Sequence, residues 1–170
     1  MPELLASLAV HELDVVLADV PASEAVKVKA FNHRLGDCGT TFFAAPRLAH
    51  LRKDFPRSLH NAPALLPSEG TALRRAVDTW LAGLGIQPRL AGEFDDSALM
   101  KVFGARGTGF FAAPQVLEEE IRTEYAVVPI GRADEVRESF YAITVERKIR
   151  HPGVVALAEA ARGALSRPEG

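Results

Sequence analysis

The sequence predicts an α/β fold in which strands alternate with helices. Two observations carry this prediction. Between residues 62 and 125, apolar runs short enough for buried strands alternate with stretches of helical periodicity. The octapeptide GTTFFAAP at 39–46 also recurs as GTGFFAAP at 107–114, and each copy joins a compact apolar strand to a proline suited to the first turn of a helix. Such alternation is typical of folds with largely parallel sheets.

The first 50 residues predict a helix followed by three strands. Leucines at positions 4, 5 and 8 recur near helical spacing, and VVLAD (15–19) is typical of a short buried strand. AVKVKAF (25–31) alternates apolar residues with lysines, the pattern of a half-buried strand. The segment NHRLGDCG then predicts a turn region, which leads into the strand GTTFFAA and a helix that begins at Pro46.

The middle of the chain repeats the order strand, helix, strand, helix. APALLP (62–67) predicts a strand, and the next helix ends at Gly85, a natural C-terminal stop. One apolar face of that helix is formed by Leu73, Val77, Trp80, Leu81 and Leu84. PRLAGEF predicts the following strand, and DDSALMKVFGARG predicts a helix capped by Asp96 or Ser97.

The last third predicts three strands and two helices. GTGFFAA is a strand, Pro114 starts a helix through VLEEEIRTEY, and AVVPIG and SFYAITVER are two further strands. The closing helix, HPGVVALAEAARGAL, has an apolar stripe of Val154, Ala158, Ala161 and Leu165.

We interpret the two octapeptides as two uses of one strand-to-helix connection, in separate lobes. A single sheet that held both as neighbouring strands would contradict this division.

Composition limits the classes of function. The 170 residues are 48% hydrophobic and 25% charged, which is typical of one globular domain or two small lobes. The net charge of −2 gives no basic surface for nucleic acid. A single cysteine, Cys38, excludes an internal disulfide and favours a reducing compartment. Neither a signal peptide nor a membrane span is expected, so the cytoplasm is the predicted location.

Three segments resemble the effector-binding domain of LysR-type transcriptional regulators: HELDVVLAD, LPSEGTALRRAVDTWLAGLGIQP and EFDDSALMKVFGARGTGFFAAP. The resemblance extends over nearly the whole chain. Within the family, three segments are most similar in sequence to those of a group of sodium-responsive activators: HELDVVLAD, GDCGTTFFA and EFDDSALMKVFG. The sequence is therefore similar to a sensing domain.

The resemblance implies two Rossmann-like lobes of the type II periplasmic-binding-protein kind, joined by two crossing strands with an effector cleft between them. Residues 1–45 and 141–170 would form lobe one, and residues 46–138 would form lobe two. The family's helix-turn-helix domain, linker helix and first three elements of lobe one have no counterpart here, so we expect a truncated first lobe. DNA would be bound only through the absent helix-turn-helix domain. A homo-oligomer is expected, because the family pairs through these lobes and VVLAD would lie at an uncovered sheet edge.

The resemblance also suggests where an effector would bind. Asp19, at the end of VVLAD, corresponds to a position that faces the effector, although a turn role before Pro21 is an equal alternative. Asp95 is left for the cleft if Asp96 and Ser97 cap the helix. The helix start near residue 70 has free amides that suit an anion, but Glu69 lies among them. The predicted effector-binding residues are Asp19, Ser68, Gly70, Thr71, Asp95 and Ser97.

The charges of these positions favour a cation. No Arg or Lys is expected near the strand ends, and an acidic cleft without a fixed cation attracts positive ligands. We therefore expect Na⁺ or Li⁺ as the effector, held by the carboxylates of Asp19 and Asp95 and by hydroxyl oxygens of Thr71 and Ser97. No other cofactor is expected.

Enzymatic chemistry has little support in the sequence. Cys38 lies five residues after His33 but has no context that would activate a thiol, and the histidines lack the spacing of a zinc site. The acidic run 118–120 is typical of a solvated helix face. We predict a non-enzymatic sensing and dimerisation domain. The resemblance implies that it belongs to a regulator that activates a sodium/proton antiporter gene in response to an ion or a small molecule. The alternative is a stand-alone small-molecule-binding module, or a small enzyme, on the same scaffold.

Overall fold

The computed structural model describes residues 1–23, 29–147, 149 and 151–165. Its helices are α1 (Pro2–Ala9), α2 (Ala72–Gly83), α3 (Ser97–Ala105), α4 (Glu118–Tyr125) and α5 (Pro152–Leu165). Its strands are β1 (Val16–Ala18), β2 (Phe31–Ala44), β3 (Pro63–Pro67), β4 (Arg89–Phe94), β5 (Phe111–Pro114) and β6 (Val128–Thr144). The strand expected over 25–31 falls mostly on residues outside the described part of the chain.

The chain forms two compact units, one of residues 1–37 and 139–170 and the other of residues 38–138. It passes from one unit to the other within β2 and again within β6. One sheet has the strand order β1-β6-β2-β5, and a two-stranded sheet pairs β3 with β4. The mixed α/β class is confirmed, but largely parallel pairing is wrong: β1–β6 and β2–β5 are antiparallel, and β3–β4 is parallel.

The two octapeptides lie side by side. β2 pairs with β5 so that Thr40 is opposite Pro114 and Phe43 is opposite Phe111, and the rings of Phe43 and Phe111 stack with centroids 5.5 Å apart. Both octapeptides belong to the unit 38–138. Their assignment to separate lobes is therefore wrong. Sequence similarity indicated two equivalent strands, but it carried no information on which strands pair.

Two interruptions expected from the sequence do not occur. NHRLGDCG is not a turn, because it lies inside the 14-residue strand β2, and the two strands expected after residue 125 form the single 17-residue strand β6. The glycines of β2 allow close packing. A Cβ on Gly39 would lie 3.1 Å from the Cα of Asp134, and one on Gly36 would lie 2.9 Å from the Cβ of Leu165. Glycine inside a strand thus permits close approach of a neighbour.

Three smaller corrections concern the ends of helices. Leu84 does not share the buried face of α2, since the helix ends at Gly83 and Leu84 is 50% exposed. Gly85 follows with a φ of 68°, which confirms it as the stop signal. Pro46 begins a 3₁₀ segment, Pro46–Asp54, rather than an α-helix. Pro114 ends β5, and a 3₁₀ turn at Gln115–Leu117 separates it from α4.

The unit 38–138 has two apolar clusters on opposite faces of β2. Phe42 is on one face with Phe110 and Val77, and Phe43 is on the other with Phe111 and Met100. Successive strand residues point to opposite faces, so the adjacent residues Phe42 and Phe43 contribute one ring to each cluster. In the other unit, α1 packs Leu5 and Leu8 against β1 and β6, and α5 buries Val154 and Ala158.

Candidate functional site

The carboxyl ends of β3 and β4 form an edge that is suited to ligand binding. The two strands are parallel, with Pro67 opposite Phe94, so the turns that follow them lie side by side. The backbone N–H of Ser68 donates to the carbonyl of Phe94 at 2.9 Å and ties the turns together. Ligands of open α/β folds bind outside the carboxyl ends of parallel strands. We call residues 68–71 and 95–97 the β3–β4 edge.

The first turn of this edge is ordered by Thr71, the N-cap of α2. Its hydroxyl accepts a hydrogen bond from the N–H of Arg74 at 3.2 Å and donates one to the carbonyl of Ser68 at 3.1 Å. A hydroxyl oxygen has two lone pairs, so Thr71 keeps one for a ligand. Gly70 has a φ of 89°, which explains the glycine at this exposed position.

The second turn begins α3. Asp96 is the N-cap, and its carboxylate accepts hydrogen bonds from Ala98 and Leu99 at 2.7 and 3.2 Å. Ser97 is therefore the first residue of the helix and not its cap. Asp95 and Ser97 are both exposed. The cap function of Asp96 leaves these two side chains to face solvent at the edge.

Arg74 is the residue that sequence reasoning missed. Its side chain is 11% exposed, and its guanidinium donates to the carbonyl of Pro67 and to Glu93, each at 2.8 Å. The expectation that no Arg or Lys lies near these strand ends is therefore wrong. The hydrogen bond to Glu93 and the pair with Asp78 raise the pKa of Arg74, although burial opposes this. The i,i+4 spacing of Arg74 and Asp78 was the available signal.

The charge around the edge is nevertheless acidic. Arg74 is matched by two carboxylates, and Arg75 donates to the carbonyl of Gly70. The segments 68–78 and 93–96 contain these two arginines together with the acidic residues Glu69, Asp78, Glu93, Asp95 and Asp96. A net negative edge of this kind attracts cations.

The predicted site residues divide between the two units. Ser68, Gly70, Thr71, Asp95 and Ser97 all lie at the β3–β4 edge of the unit 38–138. Asp19 lies in the other unit, directly after β1, and is exposed. Among the described residues there is no group of three or more His, Cys, Asp or Glu side chains arranged to hold a metal ion. In the same residues, no helix combines the length and apolar character needed to span a membrane.

Cys38 has the properties of an unreactive thiol. It lies in β2 and is half-buried. Burial raises the pKa of the Cys38 thiol, and the nearby Glu138 carboxylate adds to this, although backbone hydrogen bonds from Val116 and Gln115 oppose it. Because the thiolate is the nucleophile, a raised pKa disfavours covalent chemistry at neutral pH.

Solved structures with the same fold are regulatory domains of the type II periplasmic-binding-protein kind. The reduced regulatory domain of OxyR2 from Vibrio vulnificus matches with a TM-score of 0.66 and 16% identity, over 97% of this chain and 78% of that one. The regulatory domain of HypT from Salmonella typhimurium matches with a TM-score of 0.64 and 15% identity, over 96% and 78% of the two chains. At this level of identity the matches show the fold alone, which is that of the type II periplasmic-binding-protein kind.

Sequence comparison shows the family to which the chain belongs. The model of the LysR substrate binding domain matches residues 1–166, and the chain belongs to that family. The transcriptional activator protein NhaR of Escherichia coli (strain K12) is 34% identical over 165 residues, which cover 97% of this chain and 54% of NhaR. The chain therefore spans about half the length of the curated relatives that it matches.

Proposed function

We propose that this chain is the effector-sensing and dimerisation part of a LysR-type transcriptional regulator of the NhaR kind. The observation that supports this most is the family match over residues 1–166 together with 34% identity to NhaR over 97% of the chain. Such a protein works in the cytoplasm, without catalysis, and activates a sodium/proton antiporter gene. It contacts DNA through a helix-turn-helix domain that these residues do not include, in keeping with the net charge of −2.

The proposed effector is Na⁺ or Li⁺. Asp95 would serve as a carboxylate ligand, and neutral oxygens would come from Ser68, Thr71 and Ser97 of the same unit. Gly70 would allow the turn to approach the ion closely. Hard cations prefer such oxygen ligands. The acidic balance of the β3–β4 edge supports this proposal, because the exposed carboxylates repel one another until a cation is bound.

Thermal unfolding tests the ion proposal directly. Replacing choline chloride with NaCl or LiCl at fixed ionic strength is expected to raise the melting temperature, since an ion that binds only the native state stabilises it. At ten times the dissociation constant the gain is about 1.4 kcal/mol. Asp95→Asn should reduce the sodium-dependent rise and leave the melting temperature in choline chloride nearly unchanged, because Asp95 is exposed.

Glu120→Gln is the matched control for this experiment, since Glu120 is exposed on α4 and lies outside the proposed site. This variant should keep the full response to sodium. Identical melting curves in sodium, lithium and choline salts would reject the ion as effector and would leave the family membership untouched.

A further inference from the structure

A second surface of the unit 38–138 has the features of an anion site. A groove with a volume of about 600 Å³ lies where α4 meets the start of β6, and it shares no residue with the β3–β4 edge. Three arginines from three separate segments line it: Arg52, Arg122 and Arg132. The backbone segment 127–131 supplies an apolar wall. We call this surface the basic groove.

Arg52 is oriented in the groove by a neutral acceptor. Its Nε and Nη2 donate to the carbonyl oxygen of Pro129 at 3.0 and 2.7 Å, which fixes the orientation of the guanidinium. A carbonyl oxygen is neutral, and within the part of the chain that the structure describes Arg52 forms no ion pair with a carboxylate. Arginine has five N–H donors, so several remain for a ligand.

Arg132 is held in place by Glu118, which is not the solvated residue expected from the acidic run. The side chain of Glu118 is 14% exposed and accepts two hydrogen bonds from Arg132, at 3.0 and 3.1 Å, and one from Thr41 at 2.8 Å. Burial raises the pKa of Glu118, but the bonds from Arg132 and Thr41 outweigh burial and hold it below its ordinary value. The pair therefore stays ionised at neutral pH.

The third arginine can change partner at little cost. Arg122 pairs with Glu119 at 2.8 Å, and their side chains are 47% and 77% exposed. Exposed pairs of this type contribute little to stability. A ligand anion can therefore replace Glu119 at Arg122 while Arg52 and Arg132 keep their positions. The groove thus has three guanidinium groups against two carboxylates, one of which is readily displaced.

We propose that the basic groove binds a small organic oxyanion, with a carboxylate or phosphate group at Arg52 and Arg122 and an apolar body against Val128 and Pro129. Planar guanidinium groups match both kinds of oxyanion, often with two parallel hydrogen bonds. The groove volume of about 600 Å³ fits a small-molecule ligand, since such sites measure about 300–1,000 Å³. This ligand would be a second effector, and its binding does not depend on the ion proposed for the β3–β4 edge.

Titration of ¹⁵N-labelled protein with potassium benzoate and, separately, with potassium phosphate tests this proposal. Potassium chloride keeps the ionic strength constant, and sodium is absent, so failure here would not bear on the sodium proposal. We expect saturable chemical-shift changes at the amides of Val128, Ile130 and Gly131 with at least one probe. Saturation by benzoate alone would assign a carboxylate ligand, and saturation by phosphate alone would assign a phosphate ligand.

Variants locate the binding to the groove. Arg52→Gln should raise the dissociation constant about tenfold, since it removes a charged hydrogen-bond donor. Lys53→Gln removes the same charge from the neighbouring exposed residue, which does not line the groove, and should leave the constant unchanged. Arg122→Gln, on the exposed face of α4, should also weaken binding and serves if Arg52→Gln does not fold. Absence of saturation with both probes, or equal weakening by the Arg52 and Lys53 variants, would overturn the proposal.

Discussion

Replacing Phe42 with alanine is expected to lower the free energy of unfolding by about 3–5 kcal/mol. Phe42 has no exposed surface and lies at the centre of the larger apolar cluster. Its ring centroid is 5.4 Å from that of Trp80, 5.5 Å from that of Phe55 and 6.1 Å from that of Phe110. The three partner rings come from three separate segments, so the cavity left by the substitution cannot be filled by one side-chain movement.

Urea denaturation, followed by circular dichroism, measures this loss. Phe103→Ala is the matched control, because it removes the same atoms from a side chain that is 39% exposed and contacts Phe94 at the surface. Its expected cost is about 1 kcal/mol or less. Equal losses for the two variants would show that the cluster around Phe42 does not form the core of this unit.

Gly104→Ala is expected to destabilise the protein by about 1–3 kcal/mol, against the usual preference of helices for alanine. A Cβ on Gly104 would lie 2.3 Å from Cδ1 of Phe111. Phe111 has no exposed surface and stacks on Phe43, so its ring cannot move away without disturbing the second cluster. Glycine at this position of α3 therefore allows the helix to pack against β5.

Gly83→Ala, at the end of α2, is expected to have the opposite effect on stability. Apart from its chain neighbours and the backbone of its own helix, no described residue has an atom within 4 Å of a Cβ built on Gly83, the exposed last residue of α2. Alanine should raise the stability by about 0.5–1 kcal/mol, because it reduces the conformational freedom of the unfolded chain. Thermal or urea unfolding of the two variants side by side measures both signs. A stabilising effect of Gly104→Ala would contradict the packing of α3 against Phe111.

Local elements of the fold were predictable from the sequence, and strand partners were not. α2 and α3 were identified because the apolar spacing, the Asp96 cap and the Gly85 stop all lie within the helix or beside it. The continuity of β2 depends on contacts with residues about 95 and 130 positions away, namely Asp134 beside Gly39 and Leu165 beside Gly36. Local sequence does not distinguish a glycine that allows close packing of another residue from a glycine that forms a turn.

In the candidate site, too, local features were predictable from the sequence and contacts between strands were not. The turn positions Ser68, Gly70 and Thr71 were placed correctly after a strand, since cap and glycine signals are local. Arg74 was missed because its partner Glu93 comes from the next parallel strand, which only the pairing of β3 with β4 brings close. Glu118 was misjudged for the same reason. Its partners Thr41 and Arg132 lie on two strands, β2 and β6, which are 77 and 14 positions away in the sequence.

Exchange of domains with a known activator tests the central claim, that this chain senses an effector for a LysR-type regulator. The aligned 165-residue segment of Escherichia coli NhaR would be replaced by this chain, and transcription from an NhaR-dependent reporter would be measured. NhaR with the segment deleted is the control. We predict that the chimera activates the reporter and that sodium chloride increases activation more than choline chloride does. A chimera that is as abundant as NhaR, yet is no more active than the deletion in any salt, would contradict the claim.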